Sequence, residues 1–238
     1  MSLTTKRASS PVKQFLEWKG AHGEGRIQSW DKEKEENIRH KSFQFIPFDT
    51  LYSVRGYSTA KNTGIRANEV KNVQNEDLDV YYGFKSRTPV VSGKWKDIKD
   101  TVRGCGGKFA ICVYGIGKLH NGETGTICLV LSGSGSGAWF DLQKSAGGQL
   151  EGKLVTWDGS TNEGQQGSTK YDIPVLKASE PSDEELEKAK EADKEFQSYL
   201  RSQKQDQIQE QRSTAIPEGD NLPRKEKDEL DEGDDIPF

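Results

Sequence analysis

Cysteine, histidine and apolar residues are all scarce in this chain, and each scarcity closes off a class of protein. There are three cysteines, Cys105, Cys112 and Cys128. Their number and spacing fit neither a zinc site nor a full disulfide set. They read as buried free thiols in a reducing compartment, so the expected location is the cytoplasm. The three histidines, His22, His40 and His120, are scattered and read as surface residues. No Ser/His/Asp arrangement stands in local context, and no acid pair stands out from the general charge. No metal or cofactor is expected, and the missing site elements point to a binding protein rather than an enzyme. No run is long and apolar enough to span a membrane, and the N-terminus lacks a signal-peptide core. Two glycine clusters, Gly104-Cys105-Gly106-Gly107 and Gly115-Ile116-Gly117, lack the spacing of a dinucleotide fingerprint. Residues 132–137 alternate Ser and Gly with no Lys-Ser/Thr after them, which excludes a phosphate loop.

Only 32% of the 238 residues are hydrophobic and 30% are charged. That supports one ordinary domain plus a tail, or two small domains. The apolar residues concentrate before Leu176, and charge splits at nearly the same place. Residues 1–178 carry 25 Lys and Arg against 19 Asp and Glu, a net of +6, whereas residues 179–238 carry 9 against 19, a net of −10. A sequence pI of 5.6 therefore averages a mildly basic body and a strongly acidic tail. A basic body suits a polyanion. An acidic tail can screen that body or address a different, basic partner.

Residues 1–11 are small and polar and read as a flexible arm. Residues 12–18 and 26–30 read as strands around a turn at His22-Gly23-Glu24-Gly25. The charge run from Asp31 to Arg39 reads as an exposed hairpin connection or short helix. The strongest β pattern spans residues 41–57, with Asp49-Thr50 as a candidate turn. Residues 56–68 read as a basic flexible loop, residues 69–73 as a short strand, and residues 80–86 as an aromatic strand. Trp95, Ile98 and Val102 fall at helical spacing. The most buried strands are expected at 108–116 and 126–131, joined through Asn121-Gly122. Residues 132–137 read as a flexible link and 138–142 as a strand. Residues 153–157 and 170–176 complete the body, separated by a loop. Many short strands, one short helix and Gly-rich turns describe a small all-β barrel or sandwich. Ser182 with Glu185 then forms a capping box. Leu186, Ala189, Phe196 and Leu200 follow it as a narrow apolar stripe of a helix reaching about Gln207. Residues 213–238 have no periodicity and are expected to be disordered.

An OB-type barrel that binds single strands needs exposed aromatics for base stacking and cations along the backbone path. The segment from Trp30 to Arg87 offers both. Trp30, Tyr52, Tyr57, Tyr81, Tyr82 and Phe84 lie close in sequence to Lys41, Arg55, Lys61, Arg66, Lys85 and Arg87. On one strand Tyr82 and Phe84 face one way and Tyr81 the other, so either set can be core.

The chain ends Asp234-Asp235-Ile236-Pro237-Phe238. Pro237 fixes the backbone before an aromatic ring that carries its own α-carboxylate. Such an ending can plug Phe238 into a pocket while a basic residue holds the carboxylate. It resembles the acidic tip of bacterial single-stranded-DNA-binding proteins, with Gly233 where their pattern has another aspartate. The order of basic aromatic body, acidic linker and tip is also similar in plan to the single-strand binders of tailed bacteriophages. The resemblance implies a mainly β, OB-fold-like barrel with one short helix, followed by a C-terminal helix and a disordered acidic tail. It divides the chain into an arm (1–11), a DNA-binding domain (12–178), a charged helix or linker (179–212) and a partner-binding tail (213–238). It implies sequence-tolerant single-stranded-DNA binding in replication, recombination and repair, with the tip recruiting partner proteins. Two other classes fit the same residues: an adaptor or decoy that uses the tip without binding DNA, and an RNA-binding or structural protein. Oligomeric state is left open.

Overall fold

The computed structural model describes residues 9–31, 34–83 and 85–214. They form eleven strands and three helices in one sheet system. Four strands organise it: β1 (Gln14–Lys19), β4 (Phe43–Ser58), β8 (Gly107–Lys118) and β9 (Thr124–Ser132). The expected buried strands are β8 and β9, and their apolar, β-branched sequences form the antiparallel hairpin at the centre. The loop joining them, residues 119–123, uses Gly122 at φ 85°.

Outward from β9 come β1, paired in parallel, then β2 (Arg26–Asp31) and β3 (Glu36–His40). From β8 the sheet runs through β4 to β5 (Thr63–Ala67), β6 (Leu78–Tyr82) and β7 (Val91–Gly93). The long β4 shares its second edge. Its first residues pair with β10 (Leu154–Gln166), Tyr52 bridges Val70, and residues 55–58 pair with β5. β10 forms a hairpin with β11 (Thr169–Ser179).

Helix α2 (Ser134–Ser145) and helix α1 (Trp95–Gly104) lie on one face of this sheet. Under α2, Trp18, Phe45, Leu129, Trp139 and Trp157 form the main core, with Trp18 edge-on to Trp157 at 5.8 Å. Under α1, Val54, Ile65, Val80, Ile98 and Val102 continue it. The opposite face carries α3 (Asp183–Thr214). Its Ser182–Glu185 capping box forms as expected: the Ser182 N–H and hydroxyl both donate to Glu185 Oε2, at 2.9 and 2.8 Å. Phe196 is buried, stacks on Tyr114 at 4.3 Å and touches Phe48 at 5.6 Å. The apolar stripe thus docks the helix on β8.

Several expectations change. The small closed barrel becomes an open sheet, because β3 and β7 are edges that pair with nothing on their outer sides among the described residues. Asp49-Thr50 does not turn the chain. A bulge between Pro47 and Asp49 absorbs one residue and β4 continues. The charge run before Arg39 contributes the edge strand β3, and the basic loop at 56–68 contains β5. Residues 69–73 make only the Tyr52–Val70 bridge. The loop expected between 157 and 170 is instead the outer half of the β10–β11 hairpin.

The largest change is at residues 132–142, where the link and strand are replaced by α2. Ser and Gly favour helices weakly, so tertiary contacts decide. Ser134 Oγ accepts from Trp18 Nε1 at 3.1 Å and donates to the Asp172 carbonyl at 2.7 Å. A Cβ at Gly135 would sit 2.7 Å from Trp18 Cδ1, so glycine permits the close approach. The tail and its tip, residues 215–238, lie outside the described residues, as do residues 1–8 of the arm. Phe196→Ala is expected to cost about 3–5 kcal/mol. Urea unfolding followed by circular dichroism checks this, and an unchanged midpoint contradicts the docking.

Candidate nucleic-acid interface

The strand register sorts the candidate residues by face. Arg55 pairs with Lys108 on one side and with Arg66 on the other, and Arg66 pairs with Tyr81. Paired residues point to the same face, so Lys108, Arg55, Arg66 and Tyr81 form one row across β8, β4, β5 and β6. The row lies on the face that carries α3. Tyr57 sits two residues beyond Arg55 on the same face, opposite Gly64, and is 53% exposed. Its hydroxyl donates to Asn62 Oδ1 at 2.5 Å. Lys61 is exposed at the adjoining β4–β5 turn. Lys108 was not singled out from the sequence. It opens an apolar strand, and only the register places it beside Arg55.

Three cations side by side repel one another, and local groups answer part of that charge. Glu69 Oε1 pairs with Arg55 at 3.1 Å, and its other oxygen accepts from the Tyr114 hydroxyl. Burial, with Cys128 and Glu69 nearby, pushes the Tyr114 hydroxyl far above its ordinary range. It therefore stays a donor to Glu69. The Arg66 guanidinium lies 5.1 Å from the centre of the Tyr81 ring, and its Nε donates to the Gly83 carbonyl at 2.9 Å. Lys108 is exposed and makes no ion pair among the described residues.

Other candidates fall elsewhere. Tyr52 points to the α2 face, where it stacks on Phe109 at 5.7 Å and Phe109 packs on Trp95 at 5.2 Å. Burial, with Glu151 nearby, raises its pKa. Tyr52, Phe109 and Phe140 line an open cleft of about 350 Å³ with residues 71–74. Tyr82 is half-buried against the smaller core cluster. Lys41 is exposed at the β3–β4 turn, and Lys85 and Arg87 are exposed between β6 and β7. Phe84 and the tip residues Asp234, Asp235, Ile236, Pro237 and Phe238 lie outside the described residues. Trp30 is 55% exposed on the α3 face, but four strands from β4. The row, Tyr57 and Lys61 are thus brought together; Tyr52, Tyr82, Lys41 and Trp30 are not.

Of the histidines expected at the surface, His22 and His120 are exposed and His40 differs. His40 is half-buried, with its Nε2 within hydrogen-bond distance of Ser29 Oγ at 3.0 Å; that hydroxyl oxygen accepts from Gln14 Nε2 at 2.8 Å. Burial and the nearby His120 lower its pKa. His22 is exposed, 3.8 Å from Asp172. Cys112 and Cys128 are buried and Cys105 is partly so, all as free thiols. Among the described residues no His, Cys, Asp and Glu group is arranged to hold a metal, and no helix is long and apolar enough to cross a membrane.

Comparison with protein-family models, curated proteins and solved structures finds no match. The site is therefore read from its own geometry. Glu69→Gln is expected to destabilise the fold by about 1–3 kcal/mol, because Arg55 then lacks its counter-charge. Denaturant unfolding measures it; a parental midpoint contradicts the assigned role of Glu69.

Proposed function

We propose that the protein binds single-stranded DNA without sequence preference and serves replication, recombination and repair. The observation that carries this is the row Lys108–Arg55–Arg66–Tyr81 with exposed Tyr57 beside it. A polyphosphate strand relieves the mutual repulsion of the three cations, and Tyr57 and Tyr81 offer faces to its bases. Stacking is tolerant of sequence because every base has a π-face.

The OB-type plan is part of the same proposal. In it, β4, β8, β9, β10 and β11 form the five-stranded unit. Two features support this: β4 pairs with β8 along one edge and β10 on the other, and β11 reaches back to the end of β1 through the Ala21–Tyr171 bridge. The row then lies on the outer face of the first two strands and in the long connection between them. OB-type proteins bind oligonucleotides on the face of their second and third strands and in that first connection. Lys108 on the second strand and Arg66 and Tyr81 in the connection match this placement, with Arg55 beside them.

Anisotropy of labelled oligo-dT across a range of salt tests the reading. The wild-type chain should bind, with affinity falling as salt rises. Arg66→Gln or Lys108→Gln should lower the salt slope by about one phosphate's worth. Tyr81→Ala should cost about 1–3 kcal/mol. No binding at any salt defeats the proposal, and preference for oligo-U would replace DNA with RNA.

The acidic segment has two proposed roles. It competes with DNA for the basic body, so removing residues 215–238 should tighten oligo-dT binding most at low salt. Its tip recruits replication and repair proteins through Phe238. Deleting Phe238 alone should abolish their capture in a pull-down and leave DNA affinity intact. Capture without any DNA binding would instead identify an adaptor.

A further inference from the structure

A second aromatic feature stands on the α3 face, away from the row just described. In β1, Leu16 and Trp18 are buried on the α2 face, so Phe15 between them points the other way and is 54% exposed. In β2, Ile27 and Ser29 are buried while Trp30 is 55% exposed. The register pairs Leu16 with Ser29. Phe15 therefore stands opposite Trp30, about 5 Å away across the two strands. Two large aromatic side chains thus occupy neighbouring register positions on one sheet face, each more than half in solvent.

The charges around the pair are sorted by face. By strand alternation Lys19, Arg26 and Arg39 share the face of the rings; Glu17, the one acid of β1–β3 on that face, pairs with Lys19, and Glu24 pairs with Arg26. Asp31 and Glu36, which pair with each other in register, fall on the opposite face. Arg39 is exposed and makes no ion pair among the described residues. An apolar protein partner would find these cations a desolvation cost. A polyanion whose bases present flat apolar faces finds both rings and charge in place.

We infer that Phe15 and Trp30 form a second stacking platform for the same single strand, a step that rests on the function proposed above. The pair is level with Cys128, Tyr114 and Asp49 through successive pairings. Tyr57 lies eight residues further along β4, and β2 lies four strands away from it. Strand spacing and rise put the two platforms about 30 Å apart. Helix α3, seated on Tyr114 through Phe196, lies between them. A short oligonucleotide reaches one platform, and a long one engages both.

The test compares oligo-dT of about five and about thirty nucleotides. The proteins are the wild-type chain, the Phe15→Ala/Trp30→Ala double variant and Trp30→Phe. Both side chains are exposed, so the variants should fold, which circular dichroism checks. The wild type should gain affinity with length, and the double variant should bind the long oligonucleotide about tenfold or more weakly. Trp30→Phe should keep its affinity, since the ring is retained, and lose most of the tryptophan quenching on binding. That readout is specific because Trp18, Trp139 and Trp157 are buried and Trp95 is partly so.

If the wild type binds neither oligonucleotide, the proposed function itself fails. If the wild type binds but the double variant matches it at both lengths, or Trp30→Phe quenches as fully as the parent, only the second platform fails. Sedimentation of the free proteins supplies the remaining arm. A wild-type dimer that the double variant converts to a monomer would assign the rings to a contact between copies and overturn the inference.

Discussion

Both faces of this molecule depend on the side-chain alternation of β4, and a single bulge sets it. Phe45 and Tyr52 are an odd number of residues apart, yet both point to the α2 face. The extra residue between Pro47 and Asp49 makes that possible. Without it, every residue from Asp49 to Ser58 would exchange faces. Val54 would leave the core under α1, and Arg55 and Tyr57 would turn inward. The bulge also presents Phe48 and Asp49 to α3. Asp49 accepts from Gln197 Nε2 at 2.7 Å and pairs with Lys71 at 3.1 Å. Core packing, the helix dock and the cationic row thus share one backbone irregularity.

The electrostatics follow from the same register. Aligned β4, β5 and β8 bring like charges together, which costs stability. Glu69 compensates Arg55 and holds the Tyr114 hydroxyl, so one carboxylate links the row to the aromatic seat of α3. A bound polyanion would complete that compensation. The sequence after residue 178 carries a net charge of −10 against +6 in the residues before it.

Much of this was legible in the sequence. The β8–β9 hairpin, the strand at residues 26–30, α1 and the capped start of α3 follow from apolar periodicity and local capping chemistry. The failures have physical causes. Helix α2 is built from Ser and Gly because Trp18 requires close approach, and neither residue signals a helix locally. The open sheet arises from edge strands whose pairing is set at long range. At the candidate site, period two separated Tyr81 from Tyr82 but could not say which was core. Within Phe15-Leu16 both residues are apolar, and only packing under α2 decides that Leu16 goes inside. Lys108 became visible only when register placed it beside Arg55.

The central claim is that the α3 face, rather than the α2 face, receives the nucleic acid. Ultraviolet cross-linking of the full chain to oligo-dT, with the attachment sites mapped by mass spectrometry, tests it most directly. The account predicts adducts at Tyr57 and Tyr81, with Phe15 and Trp30 joining as the oligonucleotide lengthens. Adducts confined to Tyr52, Phe109 and Phe140 around the opposite cleft would contradict it.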